Sequence, residues 1–323
     1  MKAIVQTEYG PPEVLSLEEI DTPVLQDNEV RVKIQAASVH AGDWHLMRGT
    51  PFLIRLMFGG LLKPKHPILG TDLAGQVEAV GKDVTQFKPG DEVFGELSEC
   101  GFGAFAEYAC APEKALALKP ANLTFKAAAA VPVSALAALQ GLRDVGQLQP
   151  GQRVLIHGAS GGVGSFAVQI AKAFGAEVTG VCSTQKVEMV RSLGADHVID
   201  YTQTDVTQTG QRYDLMLDAA AYRSVTDFLP ALTPQGTYVM VGGSTARFFQ
   251  AMFLGAWLTR QTSQKVKCLA SKPNQADLVT LKDLIEAGKL VPAIDRCYPL
   301  SEVPAAIRYL EQRQVQGKVA ISV

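Results

Sequence analysis

The chain has 323 residues, of which 47% are hydrophobic and 19% charged, with a formal net charge of −2. That is the profile of a folded globular protein of about two domains, not of a disordered chain, and its near-zero charge gives no general attraction to nucleic acid or an anionic membrane. Five cysteines (Cys100, Cys110, Cys182, Cys268, Cys297) without any CxxC spacing argue against a disulfide framework and a structural zinc knuckle.

The N-terminus, Met1-Lys2-Ala3-Ile4-Val5-Gln6, lacks the apolar run of a signal peptide. A cytoplasmic protein with reduced thiols is therefore expected. Short β signals separated by Gly and Pro fill the first third. Val30 to Ile34 alternates apolar and charged residues as a half-buried strand does. Leu73 to Val80 reads as a second strand, with Gly75 marking a bulge or a close backbone approach. Lys88 to Val93 reads as a turn and strand entry, and Ala104 to Ala109 and Lys114 to Leu118 complete the set. Many short strands with turn punctuation predict a barrel-like all-β unit.

The pattern changes near Leu123. Thr124 to Leu142 reads as a buried, alanine-rich helix containing Pro132, too short and interrupted for a membrane span. Strands and helices then alternate: strand Arg153–His157, helix Gly162–Phe174, strand Glu177–Cys182 and helix Gln185–Leu193. Further strands are expected at His197–Ile199, Leu215–Leu217 and Tyr238–Val241. Such alternation implies right-handed βαβ crossovers and a parallel sheet covered on both faces. From about Lys265 β character resumes and ends in Gly317–Val323, a terminal strand whose expected host is the N-terminal unit. The expected division is 1–123 and 265–323 for a discontinuous β domain and 124–264 for the α/β domain.

Between strand Arg153–His157 and the next helix lies Gly158-Ala159-Ser160-Gly161-Gly162-Val163-Gly164, with four glycines in seven residues. In that context backbone N–H groups and the helix dipole are positioned to hold a pyrophosphate. Ala159, Ser160, Gly161, Gly162, Val163 and Gly164 are therefore candidate dinucleotide-binding residues. An ordinary tight turn needs fewer glycines.

A free ribose 2′-hydroxyl is usually held by a carboxylate about twenty residues further on. Here the second strand ends Cys182-Ser183-Thr184-Gln185-Lys186, and no carboxylate follows until Glu188. Ser183, Thr184 and Lys186 suit a 2′-phosphate, which points to NADP(H). The alternative is that these are a hydroxyl helix cap and a solvated lysine.

The segments Pro67–Gly75, Pro89–Asp91, Ala127–Leu142, His157–Gly164, Leu193–Asp196 and Gly317–Val319 together resemble the medium-chain dehydrogenase/reductase superfamily, close to its zinc-independent quinone oxidoreductase (zeta-crystallin-like) branch. The resemblance implies an α/β fold: a Rossmann doubly wound parallel sheet plus a GroES-like β-barrel catalytic domain built from both chain ends, with the active site in the cleft. It places Lys186 and Tyr201 at the adenosine phosphate and ribose, and Lys318, on the last strand, near the cofactor. Gly242, after the strand Tyr238–Val241, joins the cofactor-binding set. Where the zinc relatives carry Cys, His and Cys, this chain has His40, Thr71 and a position near Val133. One possible ligand of three cannot hold zinc tightly, so no metal is expected. His40 replaces an Asn three residues before Asp43, and Ala137 replaces a Thr.

Without a Lewis acid, hydride from NADPH suits an acceptor already activated by conjugation, a quinone or an α,β-unsaturated carbonyl. His40 is the local candidate to donate to the developing oxygen, its alternative role being packing alone. His157 more simply props the turn. Two apolar stretches, Pro51–Leu62 and Phe248–Leu254, read as a substrate wall, a lid, a dimer surface or internally packed helices. The resemblance implies a homodimer. The competing functions are reduction of simple aldehydes or ketones, and a non-catalytic, crystallin-like NADPH-binding protein.

Overall fold

A computed structural model describes residues 1–58 and 60–323, apart from the side chains of Met57, Phe58, Thr245, Leu254, Ala256, Trp257 and Gln261. The chain begins with β1 (Lys2–Gln6), β2 (Leu15–Glu19) and β3 (Glu29–Val39), then α1 (Ala41–Arg48) and α2 (Phe52–Phe58). Strands β4 (Asp72–Val80), β5 (Glu92–Glu96), β6 (Tyr108–Pro112) and β7 (Leu116–Leu118) follow, and then α3 (Phe125–Ala129) and α4 (Pro132–Gln140). The alternating part is β8 (Arg153–His157), α5 (Gly162–Ala173), β9 (Glu177–Cys182), α6 (Val187–Ser192), β10 (His197–Asp200) and β11 (Tyr213–Asp218). It continues with α7 (Val225–Phe228), β12 (Leu232–Met240), α8 (Thr245–Gln261) and β13 (Lys265–Cys268). Last come α9 (Gln275–Glu286), β14 (Ile294–Pro299), α10 (Val303–Glu311) and β15 (Lys318–Ser322).

Internal contacts divide the chain into two units, the first comprising Met1–Val133, Pro273–Ala287 and Pro292–Val323. Its main sheet has seven strands in the order β14-β15-β3-β4-β5-β7, with β6 paired to β3. Along β3 the side chains of Val30, Val32 and Ile34 are buried while Arg31 and Lys33 face outward, the alternation the sequence predicts. Those residues join Leu73, Val93, Phe105, Leu116, Val319 and Ile321 in one core, and each large side chain fully withdrawn from water contributes about 1.5–3 kcal/mol. Gly75 is the expected close approach: a Cβ there would lie 2.2 Å from the Lys33 carbonyl oxygen, beside a register shift between Ile34 and Ala36. The expected strand at Ala104–Ala109 begins later, at Tyr108.

The second unit, Ser134–Lys272 with Gly288–Val291, holds a six-stranded sheet ordered β10-β9-β8-β11-β12-β13, every pairing of which is parallel. This is the doubly wound order in which the strand direction of travel reverses between β8 and β11. Val154, Leu155 and Ile156 are all fully buried, as central parallel strands require. Residues 288–291 belong here because Gln169 of α5 clamps Val291, donating to its carbonyl at 3.0 Å and accepting from its N–H at 2.8 Å.

Three further sequence readings change. The expected helix Thr124–Leu142 is two helices, because Pro132 supplies no N–H and opens α4 instead of extending α3. Thr124 caps α3 by accepting from Ala127 N–H, and α3 packs on β3, β4 and β15 of the first unit. The stretch 124–133 therefore goes with the first unit. Strand β13, expected to begin the return to the β domain at 265, pairs in parallel with β12 and belongs to the second unit.

Candidate functional site

In the second unit the glycine turn leaves the C-terminal end of β8, beside the point where the strand order reverses. Gly158 takes a positive φ of 79°. Gly164 lies so close to it that a Cβ would sit 2.1 Å from the Gly158 carbonyl oxygen, so glycine is required for the first turn of α5 to reach the strand. Ala159 is fully buried and its N–H is donated to Val181 O at 3.0 Å, and Gly161 N–H is donated to Gly158 O at 3.1 Å. Ala159, expected to touch the ligand, thus ties the turn to β9 through its backbone. The N–H groups of Gly162, Val163 and Gly164 open α5, where no intrahelical acceptor exists, and the N-cap Gly161 brings no side-chain acceptor. An anion fits this uncapped terminus. Ser160 is buried beside it.

The reversal point is braced by a buried carboxylate. Asp218, at the end of β11, accepts from His157 Nδ1 (2.7 Å), Ala221 N–H (2.6 Å), Ala220 N–H (3.1 Å) and, through its other oxygen, Tyr238 Oη (2.7 Å). Burial pushes the Asp218 carboxyl up, yet the bonds from His157, Tyr238 and Ala221 outweigh it and hold it below the ordinary range. His157 props the turn, as its position suggests, and Asp218 is the partner the sequence did not single out.

Ser183, Thr184 and Lys186 follow the end of β9, and Tyr201, 59% exposed, follows the end of β10. The parallel register sets Asp200 beside Cys182, and Tyr201 N–H donates to Cys182 O at 3.0 Å. The structure therefore gathers Ser183, Thr184, Lys186 and Tyr201 at adjacent strand ends. Gly242 lies beyond β12, its N–H donated to Asp218 O at 3.3 Å. The glycine turn and this corner occupy the carboxyl ends of parallel strands, where ligands bind such sheets. Ser183 heads the short turn Thr184–Lys186 without a side-chain capping bond. The Thr184 hydroxyl donates to Asp200 Oδ2 at 2.6 Å. A carboxylate is present at this corner after all, delivered by β10 rather than by the residues after β9.

His40 and Lys318 lie in the first unit. His40 is the N-cap of α1: its Nδ1 accepts from Gly42 N–H at 2.9 Å, and Asp43 Oδ2 accepts from its backbone N–H at 2.8 Å. With Nδ1 accepting, the neutral imidazole carries its proton on Nε2, which is hydrogen-bonded to Thr71 Oγ1. Asp43 is fully buried, its Oδ1 without a partner among the described residues, and desolvation raises its carboxyl above the usual range. Lys318 is 2% exposed and its Nζ donates to Asp72 Oδ2 at 3.0 Å. Its charge is thus matched inside the unit by a fully buried aspartate, a partner that the expected cofactor role does not include. Asp72 also accepts from Ser38 Oγ (2.6 Å) and Val133 N–H (2.8 Å).

The three positions where zinc relatives carry ligands do converge here, with His40 on Thr71 and Val133 on the neighbouring Asp72. An imidazole, a hydroxyl and an aliphatic side chain are not a zinc donor set. Among the described residues no group of three or more His, Cys, Asp or Glu side chains is arranged to hold a metal ion. Asp72 and Asp200 had no role in the sequence analysis. Asp72 opens β4 and Asp200 closes β10.

Residues 26–121 match the family described as alcohol dehydrogenase GroES-like domain, and residues 193–321 that described as zinc-binding dehydrogenase. The chain is 34% identical to a chloroplast envelope quinone oxidoreductase homolog of Arabidopsis thaliana, over 99% of this chain and 98% of that protein. It is also 34% identical to a chloroplastic NADPH-dependent alkenal/one oxidoreductase of the same plant, over 99% of this chain and 79% of the relative. Among solved structures, the Escherichia coli quinone oxidoreductase complexed with NADPH superposes with a TM-score of 0.85 at 26% identity, each chain covered in full.

Proposed function

We propose that this chain, which belongs to the quinone oxidoreductase branch of the medium-chain dehydrogenase/reductase superfamily, is an NADPH-dependent reductase of quinones or α,β-unsaturated carbonyls. The observation that carries the reading is the glycine turn Gly158–Gly164 at the reversal point of the parallel sheet, with an α5 terminus left open to an anion. The relatives named quinone oxidoreductase and alkenal/one oxidoreductase support the acceptor class. When bound, the reduced nicotinamide supplies the hydride.

The chain's own residues do the rest. Gly162, Val163 and Gly164 offer N–H groups to the pyrophosphate, and Lys186 offers an ammonium to the adenosine phosphate. The braced Asp218 keeps His157 and the turn in register, so the donors are set before the ligand arrives. His40 offers its Nε2 proton, through or alongside the Thr71 hydroxyl, to the oxygen that gains charge as the acceptor is reduced. The chain works without zinc, a reading supported by the donor set at His40, Thr71 and Val133. An alcohol dehydrogenase polarises its substrate with the metal; this chain then needs an acceptor activated by conjugation. A homodimer rests on the family resemblance alone. Among the described residues no helix is long and apolar enough to cross a membrane, and relatives include chloroplastic and mitochondrial proteins.

Steady-state oxidation of NADPH with a quinone, an enone and a saturated ketone tests the reading. Turnover of the quinone or the enone in metal-free buffer, unaffected by a chelator, is expected. Turnover of the saturated ketone alone, or activity lost to the chelator, contradicts it.

A further inference from the structure

The corner assigned to the adenosine ribose contains an acidic hub. Asp200 closes β10 beside the end of β9, and four donors converge on it. Thr184 Oγ1 donates to Oδ2 at 2.6 Å and Gln203 Nε2 to the same oxygen at 3.0 Å. Thr202 donates to Oδ1 through both its hydroxyl, at 2.7 Å, and its backbone N–H, at 2.9 Å. Thr184 and Thr202 also bring their hydroxyl oxygens within 2.9 Å of each other.

Two hydroxyls carry two protons between them, and three short contacts compete for those protons. A carboxylate is the strongest acceptor available, so both protons go to Asp200. The Asp200 carboxyl is held below the ordinary carboxylate range, chiefly by the Thr184 bond, and stays ionised at neutral pH. Each hydroxyl then presents only lone pairs outward. Such an edge accepts hydrogen bonds and does not donate them.

A ribose 2′-hydroxyl has a proton to give to that edge. A 2′-phosphate carries about 1.5–2 negative charges near neutral pH, has little proton to give, and is repelled by the carboxylate. Lys186 pulls the other way, favouring the phosphate. We infer that Asp200 is a specificity-determining residue that keeps NADH in competition with NADPH, by fixing Thr184 as an acceptor for the 2′-hydroxyl and placing a negative charge beside the 2′-phosphate. This rests on the dinucleotide reading proposed above and deepens it.

Equilibrium binding of NADPH and NADH, measured by titration calorimetry without any acceptor, tests it. In Asp200→Asn the ratio of NADPH to NADH affinity rises about threefold, the scale of an exposed charge effect, mainly through tighter NADPH binding. In Thr184→Val, which does not depend on the loop keeping its shape without the carboxylate, NADH binding weakens and NADPH binding does not. Lys186→Ala moves the ratio in the opposite direction to Asp200→Asn. An unchanged or falling ratio in Asp200→Asn, or a loss of NADPH binding in Thr184→Val, overturns the inference. Failure of the unaltered chain to bind either nucleotide sinks the dinucleotide reading itself, an outcome distinct from a ratio that does not move.

Discussion

Glu96 faces Asp72 across the β4–β5 pairing and is 4% exposed. Its Oε1 accepts from Ser98 N–H at 2.9 Å while Oε2 has no partner among the described residues. Burial, with Asp72 adding repulsion, pushes its carboxyl up from 4.5 to about 7. Between those values the folded protein keeps a proton that the unfolded chain has released, so stability falls as pH rises through the window and levels off above it. The loss attributable to Glu96 is roughly 3 kcal/mol at most. Glu96→Gln keeps the Ser98 bond and removes the titration. Its thermal midpoint is expected to gain on the wild type steadily from pH 5 to pH 8; parallel pH profiles for the two proteins contradict this account. At this scale the sequence identifies residue types but not partners. His40 was singled out as a candidate donor, but its partners were not legible: both its ring nitrogens are engaged, by Gly42 and Thr71. Asp200 lies 16 residues beyond Thr184, and only the parallel register brings the two together.

Helix α5 shows how local sequence and packing constrain each other. From Gly164 to Ala171 every residue is buried, so the helix lies against neighbours all round. Its approach to β8 depends on Gly164, where a Cβ would meet Gly158 O at 2.1 Å and Ala159 Cα at 2.8 Å. At Gly161 a Cβ would meet only Gly158 O, at 3.5 Å. Gly164→Ala is therefore expected to lower stability by about 2–3 kcal/mol, the scale of an overpacked core, and to abolish nucleotide binding. Gly161→Ala should melt close to the wild type. Equal melting midpoints for the two variants count against the close-approach argument. Elements with strong periodicity, such as β3, β8, β9 and α5, were readable because burial follows their pattern directly. The helix break at Pro132 was readable in principle, since proline cannot continue a hydrogen-bond ladder. Strand β13 was not: four residues, Lys265–Cys268, alternate charged and apolar whichever sheet they join, and only pairing with β12 decides.

Across the whole molecule the chain's end is built into its beginning. Strand β15 inserts between β14 and β3, and Lys318 reaches Asp72, 246 positions earlier. Removing one member of such a buried pair typically costs about 3–5 kcal/mol, because the other charge is left uncompensated. That long-range closure was legible through the family resemblance and the need of Gly317–Val323 for a sheet, whereas the ion pair was not, since nothing local links a lysine to a distant aspartate. The second unit's strand order follows from the alternation of strands and helices, and with it the placement of the glycine turn at the reversal point. The proposed reaction is hydride transfer from NADPH to a conjugated acceptor. Its most direct test is incubation of the protein with an enone and NADPH deuterated at the transferred position, followed by mass spectrometry and NMR of the product. Deuterium on the carbon β to the carbonyl of a saturated product is the predicted result; an unlabelled product, or deuterium on the carbonyl carbon of an allylic alcohol, contradicts it.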